Sequence, residues 1–189
     1  NQLVDASRRV VTPAIGDPSV RDMVIADLGA VLAIDEEVYP MAWSPAFFRQ
    51  QLASPETRVN RVAEVDGRVV GHAGLVMVDG QGHVTTVAVH PDVQGSGIGT
   101  RLMADLCRVA VERRLINMTL EVRVSNLRAR ELYRRFGFAP TGAQSGYYSD
   151  TGEDALVMRV DDLAGRDFMA RVEAASDTRA LTRGGSNGG

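Results

Sequence analysis

The chain has 189 residues and a formal net charge of −3, with 44% hydrophobic and 24% charged residues. That balance builds one sizeable core and argues against direct nucleic-acid binding, which favours a strongly basic chain. No apolar run approaches the roughly 18 residues of a membrane span, no signal-peptide pattern is seen in the first twenty residues, and the one cysteine, Cys107, allows no intrachain disulfide; the expected location is the reducing cytoplasm, with no membrane partner.

Residues 1–18 lack periodicity and are broken by Pro13, Gly16 and Pro18, so a flexible leader is expected there. A short strand is expected over Ser19–Ile25. Asp27 is placed to cap a helix whose apolar stripe, Leu28, Val31, Leu32 and Ile34, leads to Tyr39, where Pro40 stops it. Met41-Ala42-Trp43 links to a second helix, with Ser44 as N-cap and Pro45 at its first position, running to about Leu52. Arg58–Val65, Arg68–Val78 and His83–Val89 read as strands joined by turns at Asp66-Gly67 and Asp79–Gly82, an antiparallel meander. A helix follows from Gly97 or Ile98 to about Arg114, with Leu102, Met103, Leu106, Val109 and Ala110 at helical spacing. Asn117–Val122 reads as a buried strand. Ser125-Asn126 opens a helix carrying Ala129, Leu132, Tyr133 and Phe136 on one face, and Gly137 is suited to terminate it. Phe138–Gln144 and Ala155–Val160 form a last strand pair around a loop, Ser145–Asp154. Beyond Asp161 a short helix is expected, then a disordered Gly/Ser-rich end. The domain assignment is a leader over 1–18, one mixed α/β domain over 19–160 and an extension over 161–189.

The densest local signal is the run Gln94-Gly95-Ser96-Gly97-Ile98-Gly99 between a strand and a helix. Glycines there cost backbone entropy but let backbone N–H groups approach an anion, commonly a phosphate, at a helix N-terminus. A P-loop needs Lys-Ser/Thr after the last glycine, whereas Gly99 is followed by Thr100-Arg101. A dinucleotide fold needs GxGxxG directly at a strand end inside a βαβ unit; the spacing here is GxGxG, after a meander. A plain surface turn is the third reading.

The fourth is a resemblance. Gln94, Gly97 and Gly99 match the Q/R-x-x-G-x-G/A signature, which resembles the acetyl-CoA pyrophosphate loop of the GNAT acetyltransferase superfamily. Thr119–Phe138, TLEVRVSNLRARELYRRFGF, is similar to that family's later half. Within it the chain most resembles the RimI-type N-terminal alanine acetyltransferases of a small-subunit ribosomal protein. The likeness rests on Tyr39-Pro40, Trp43-Ser44, Phe47-Phe48, Leu120–Arg123 with Ser125-Asn126, Gly146-Tyr147-Tyr148 and Gly152–Ala155. It departs at Gly95-Ser96, where such enzymes often carry arginine, and at the two residues Met41-Ala42 between Tyr-Pro and Trp-Ser. The resemblance implies a single GNAT-type α/β (α+β) domain, with a mostly antiparallel mixed sheet flanked by helices on both faces. It also implies acetyl-CoA as cosubstrate, a peptide or ribosomal-protein N-terminus as acceptor, direct transfer in a ternary complex, and no metal. A monomer is expected. The rivals are a related enzyme acting on a lysine side chain, polyamine or aminoglycoside, and a non-catalytic CoA-binding module.

Acetyl transfer to an amine needs a neutral amine, an oriented thioester and a protonated leaving thiolate. A peptide α-amino group, with a pKa of about 7.7–8.0, needs little help to lose its proton. Glu121 lies in an apolar strand on the face opposite Leu120 and Val122, where it must be solvated or paired. It is either a base or the ion-pair partner of Arg123 or Arg128; the resemblance implies the base. Tyr133 is either a core tyrosine or the acid that protonates the thiolate; the resemblance implies the acid. Asn126 caps its helix, meets the pantetheine arm, or both. By the same resemblance, the strand segment Val87, Ala88 and Val89 offers main-chain groups to the pantetheine, and Gln94, Gly95, Ser96, Gly97, Ile98, Gly99 and Thr100 cradle the pyrophosphate. Arg101 either adds charge there or is solvated. Tyr39, Trp43, Tyr147 and Tyr148 are candidate walls for the acceptor, Trp43 being equally well explained by core packing. Glu36, Glu37, Glu153 and Asp154 either attract a basic peptide or are simply solvated. His72, His83 and His90 lack metal spacing, and Cys107 is expected to be buried rather than nucleophilic.

Overall fold

The computed structural model describes residues 16–177. The expected leader lies almost wholly outside that range, as does the Gly/Ser-rich end. Turn chemistry sets the order of elements: β1 (Ser19–Asp22), α1 (Leu28–Val38), α2 (Pro45–Leu52), β2 (Arg58–Val65), β3 (Arg68–Val78), β4 (Gln81–Val89), α3 (Ile98–Glu112), β5 (Asn117–Arg123), α4 (Leu127–Arg135), β6 (Ala139–Tyr148), β7 (Glu153–Asp161) and α5 (Arg166–Ser176). Asp66-Gly67 and Asp79-Gly80 both adopt positive φ, the two-residue hairpin geometry that matches strand twist. The second turn is therefore shorter than the predicted Asp79–Gly82, and β4 starts at Gln81. Ser44 caps α2 by accepting from the Phe47 N–H at 3.2 Å.

Asp27 does a different job from the one expected. It sits in a single 3-10 turn, Ile25–Asp27, ahead of α1. Its carboxylate reaches back to the Val24 N–H at 2.8 Å and takes both terminal nitrogens of Arg21 at 2.8 and 2.9 Å. The strand predicted to Ile25 accordingly ends at Asp22.

The seven strands form one sheet in the order β1-β2-β3-β4-β5-β7-β6. Every neighbouring pair is antiparallel except β4–β5, whose crossover is α3. That parallel pairing covers only Gln81–His83 against Asn117–Thr119. Beyond it the strands part, so the sheet is an antiparallel meander, β1 to β4, joined by a short seam to a second antiparallel group, β5, β7 and β6.

Helices cover both faces, as the resemblance implied. On one face α3 lays Leu102, Met103, Leu106 and Ala110 against Ala73, Leu75 and Met77 of β3, all fully or nearly fully buried. Cys107 is buried among them, and burial pushes its thiol up to about 12, which suits an inert packing residue. α5 joins the same core through Phe168, Val172 and Ala175. On the other face Val62 of β2 meets Met23, Leu28, Val31 and Phe48. Alternation along β3 sends His72 to this second face, where its Nε2 lies 2.7 Å from Asp35 Oδ1 of α1, both residues wholly buried. Each large side chain sealed in these cores stabilises the fold by about 1.5–3 kcal/mol.

α4 ends as Gly137 predicts. Gly137 has φ 90°, its N–H donates to Arg134 O at 2.9 Å, and the Phe138 N–H donates to Tyr133 O at 3.2 Å, the paired bonds of a Schellman stop. The last hairpin is longer than expected. Ser145-Gly146 is not the start of a loop but a bulge within β6, with Gly146 at φ 62° and the register shifting between Gln144 and Tyr148. Tyr147 and Tyr148 therefore lie at the end of a strand.

Candidate active site

Where β4 and β5 part, main-chain groups are left facing a gap. The His90 N–H donates to Val70 O at 2.9 Å, and Val89, Ala88 and Val87 oppose Gly71, His72 and Ala73. Antiparallel pairing alternates, so Ala88 bonds to β3 while Val87 and Val89 turn their N–H and C=O groups away from it, toward the side where β5 no longer pairs. One of these groups is already engaged: the Gln94 side chain donates to Val89 O at 3.1 Å. Gln94 thus staples the end of β4.

The glycine turn begins there. Gly95 and Gly97 have φ 87° and 88°, the left-handed region that disfavours a side chain. Gly97 is the N-cap of α3 and offers no side-chain cap, so the first-turn N–H groups of α3 lack a capping side chain. Ser96 Oγ donates back to Val93 O at 2.5 Å, which tightens the turn. Thr100 is buried and Ile98 anchors the turn in the main core. A Cβ at Gly99 would meet Leu132 and Val89 only at ordinary contact distance, so its small size keeps space open rather than permitting the backbone shape. Arg101 turns away, with Nη2 2.6 Å from Asp17 Oδ1 and Nη1 donating to Pro18 O at 3.2 Å.

Glu121 projects from β5 beside the seam, its side chain 17% exposed. Neither arginine proposed as its partner takes it. Arg123 goes to Asp150 at 2.7 Å, and Arg128 lies over the glycine turn. Its partner is His83 of β4, Nε2 to Oε2 at 3.1 Å. The His83 Nδ1 lies 3.1 Å from Thr119 Oγ1, and that hydroxyl is 3.5 Å from Gly82 O. Thr119 Oγ1 thus bridges the imidazole and the Gly82 carbonyl, and Glu121 meets the other ring nitrogen. Sequence reading passed over His83 because its role comes from the parallel register His83↔Thr119, which no local pattern encodes.

The tyrosines form a group that meets Glu121 through Tyr147 and Tyr148. Tyr133 packs its ring beside Phe138 at 6.1 Å in the main core. Its hydroxyl makes no hydrogen bond to another described residue, yet it is not among the sealed, unpartnered atoms. Burial pushes its phenol well above the usual tyrosine value, and Tyr39 and Tyr148 nearby add to the shift. The Tyr39 hydroxyl bonds Thr86 Oγ1 at 2.8 Å, and burial lifts it to about 12. Tyr147 and Tyr148 meet edge to face at 5.0 Å; burial raises both, and the Glu121 carboxylate adds to each. Tyr148 is therefore the shared neighbour, within electrostatic reach of Glu121, Tyr133, Tyr39 and Tyr147. Trp43 stands apart from them: it is 46% exposed and stacks on Phe47 at 4.3 Å, so it is not a core residue, and no ring contact joins it to the other tyrosines.

Two flanking contacts hold the site. Asn126 is a working N-cap, its side chain accepting from the Ala129 N–H at 3.0 Å. Arg123 clamps the β6–β7 hairpin: it pairs with Asp150, donates to Thr151 Oγ1 at 2.9 Å and lies 3.9 Å over the Tyr148 ring. Glu153 accepts from the Ser125 N–H at 2.7 Å. The Ser125 contact and then Arg123 hold Glu153 below the usual carboxylate range, and Arg123 does the same for Asp150. Of the four acids named as peptide attractants, Glu153 and Asp154 are structural members of this hairpin, Asp154 accepting from Gly146 N–H at 2.8 Å. Among the described residues no cluster of three or more His, Cys, Asp or Glu side chains is placed to hold a metal ion, and no helix is long and apolar enough to cross a membrane.

Residues 28–138 match the Acetyltransferase (GNAT) family. A putative [ribosomal protein bS18]-alanine N-acetyltransferase of Bacillus subtilis is 34% identical over 143 residues, covering 75% of this chain and 94% of that protein. The N-alpha-acetyltransferase RimI of Mycobacterium tuberculosis is 37% identical over 140 residues, covering 72% and 84%. Among solved structures, the ribosomal-protein-S18-alanine N-acetyltransferase of Escherichia coli superposes with a TM-score of 0.71 at 27% identity, covering 80% of this chain and 98% of that one.

Proposed function

The chain belongs to the acetyltransferase (GNAT) family, and from that premise we propose that it is an N-alpha-acetyltransferase acting on the N-terminal alanine of a small-subunit ribosomal protein. The enzyme class follows from membership. The acceptor is supported by the relatives in Bacillus subtilis and Escherichia coli, which are described as acting on ribosomal protein S18. The observation that carries the reading is the gap between β4 and β5. Main-chain groups of Val87 and Val89 that turn away from β3 line it, the glycine turn closes one end, and Glu121 with His83 stands at the other.

In this reading the pantetheine arm of acetyl-CoA lies along β4 as an added strand would, with its pyrophosphate at the glycine turn and the first turn of α3. The thioester then rests beside Glu121 and Tyr133. Glu121, directly or through a water, takes a proton from the acceptor ammonium, with His83 steadying the carboxylate. The neutral nitrogen attacks the thioester carbonyl carbon, the C–N bond forms, and the C–S bond breaks. The electron pair of that bond stays on sulfur, which takes a proton from the Tyr133 hydroxyl, and the second proton that the nitrogen sheds on becoming an amide returns through water to the Tyr133 phenolate. Tyr133 is pushed up by burial, so it is fully protonated at neutral pH and ready to donate. Tyr39, Tyr147 and Tyr148 wall the acceptor side.

The test supplies acetyl-CoA with an Ala-starting peptide, free lysine and a polyamine. The peptide is expected to win on kcat/KM, with Glu121→Gln and Tyr133→Phe each lowering kcat on the order of 10²-fold. A preference for a small free amine overturns the acceptor; full activity in both variants overturns the residue roles. Mass spectrometry of small-subunit ribosomal proteins incubated with enzyme and acetyl-CoA is expected to find the added acetyl group on an N-terminal alanine.

A further inference from the structure

The seven residues from Gln94 to Thr100 carry no charged side chain. A pyrophosphate seated there meets backbone N–H groups and the positive end of α3, but no formal charge from the turn itself. Arg101, the next residue, is committed to Asp17 and Pro18. A charge arrives instead from across the gap. Arg128, in the first turn of α4, folds back so that its Nη2 lies 3.0 Å from where a Cβ on Gly95 would stand. Gly95 is at φ 87°, so a side chain at that position would be strained and would also crowd the guanidinium. The turn is thus shaped to admit the arginine.

Two features of Arg128 have no structural explanation. It is exposed and makes no hydrogen bond or ion pair with another described residue, whereas the arginines around it are engaged: Arg123 with Asp150, Arg130 with Val124 O at 2.7 Å and Arg135 with Ala175 O at 2.8 Å. It also sits where a cation is disfavoured, at the positive end of a helix whose first turn holds no acid. An anion bound between α3 and α4 resolves both.

Resting on the acetyl-CoA reading above, we infer that Arg128 is a phosphate-binding residue that grips the cosubstrate's pyrophosphate from α4 and so ties the two halves of the sheet together through the ligand. The N-cap bond of Asn126 to Ala129 fixes the helical turn from which Arg128 reaches.

The experiment is calorimetric titration of CoA and of 3′-dephospho-CoA into wild type, Arg128→Gln and Arg128→Lys at low and high salt. Arg128→Gln is expected to weaken both ligands by about tenfold, the scale of one charged hydrogen bond. Arg128→Lys is expected to weaken them less. The salt dependence of the wild type should shrink in the Gln variant, and the ligand-free melting temperature should be unchanged or raised. Equal affinity in wild type and Arg128→Gln overturns the inference while leaving the acetyl-CoA site intact. A loss confined to CoA moves the contact to the 3′-phosphate and overturns the pyrophosphate assignment. A lowered ligand-free melting temperature makes Arg128 a structural residue and overturns it too. A wild type that binds neither ligand removes the acetyl-CoA reading itself, and this inference with it.

Discussion

Glu121 and Asp27 are both carboxylates in partly buried settings, and their neighbours give them opposite uses. Asp27 is held by both Arg21 nitrogens and the Val24 N–H, and the Arg21 bonds above all keep it below the usual carboxylate range. Its folded-state value is therefore lower than its unfolded one. The stability it contributes is fully present above about pH 4 and is lost as pH falls through the folded value. Asp27→Asn is expected to cost about 1–2 kcal/mol at pH 7, with the gap to wild type narrowing toward pH 3; urea unfolding at the two pH values checks this. Glu121 has no arginine; its partner is the His83 imidazole. The identity of Glu121 as an oddity was legible, since a glutamate between Leu120 and Val122 breaks an apolar strand. The imidazole was not, because which strand lies beside β5, and in what register, is a property of the assembled sheet.

Elements announced themselves where backbone geometry admits few residues. Ser44-Pro45 at the start of α2, Asp66-Gly67 between β2 and β3, Gly95 and Gly97 before α3, and Gly137 after α4 each perform the turn or cap their chemistry suggests. Reading failed where one residue type serves two geometries. Gly146 resembled a loop residue and is a bulge, so the tyrosine pair moved onto β6. Asp27 resembled the cap of α1 and instead closes a 3-10 turn. That hairpin end is secured from outside its own strands, by Arg123 of β5. Arg123→Gln is expected to raise KM for the acceptor peptide roughly tenfold, the loss of one charged contact, while KM for acetyl-CoA moves little. Arg123→Lys recovers only part, because a lysine cannot pair with Asp150 and lie flat over Tyr148 at once. Steady-state kinetics with each substrate varied in turn measure this.

At the scale of the molecule, the helix beyond Asp161 belongs to the core. Phe168 is 3% exposed and Val172 wholly buried, in the main core with α5 packed against α3 and α4. Phe168→Ala is expected to destabilise the fold by about 3–5 kcal/mol, read as a lower urea midpoint with little change in slope. The face covered by α1 and α2 has its own small apolar cluster around Val62, so the sheet is clamped from both sides near its middle strands.

The seam between β4 and β5 is where that clamping is thinnest. Three residue pairs join two antiparallel groups, each complete within itself. A plate cut most of the way across flexes at the uncut part, and here the cut is the proposed binding gap. A cosubstrate lying in it works as a splint, bearing load that the protein's own hydrogen bonds do not. Its affinity is then also a measure of stiffness: mass action adds the binding energy to the cohesion of the whole sheet.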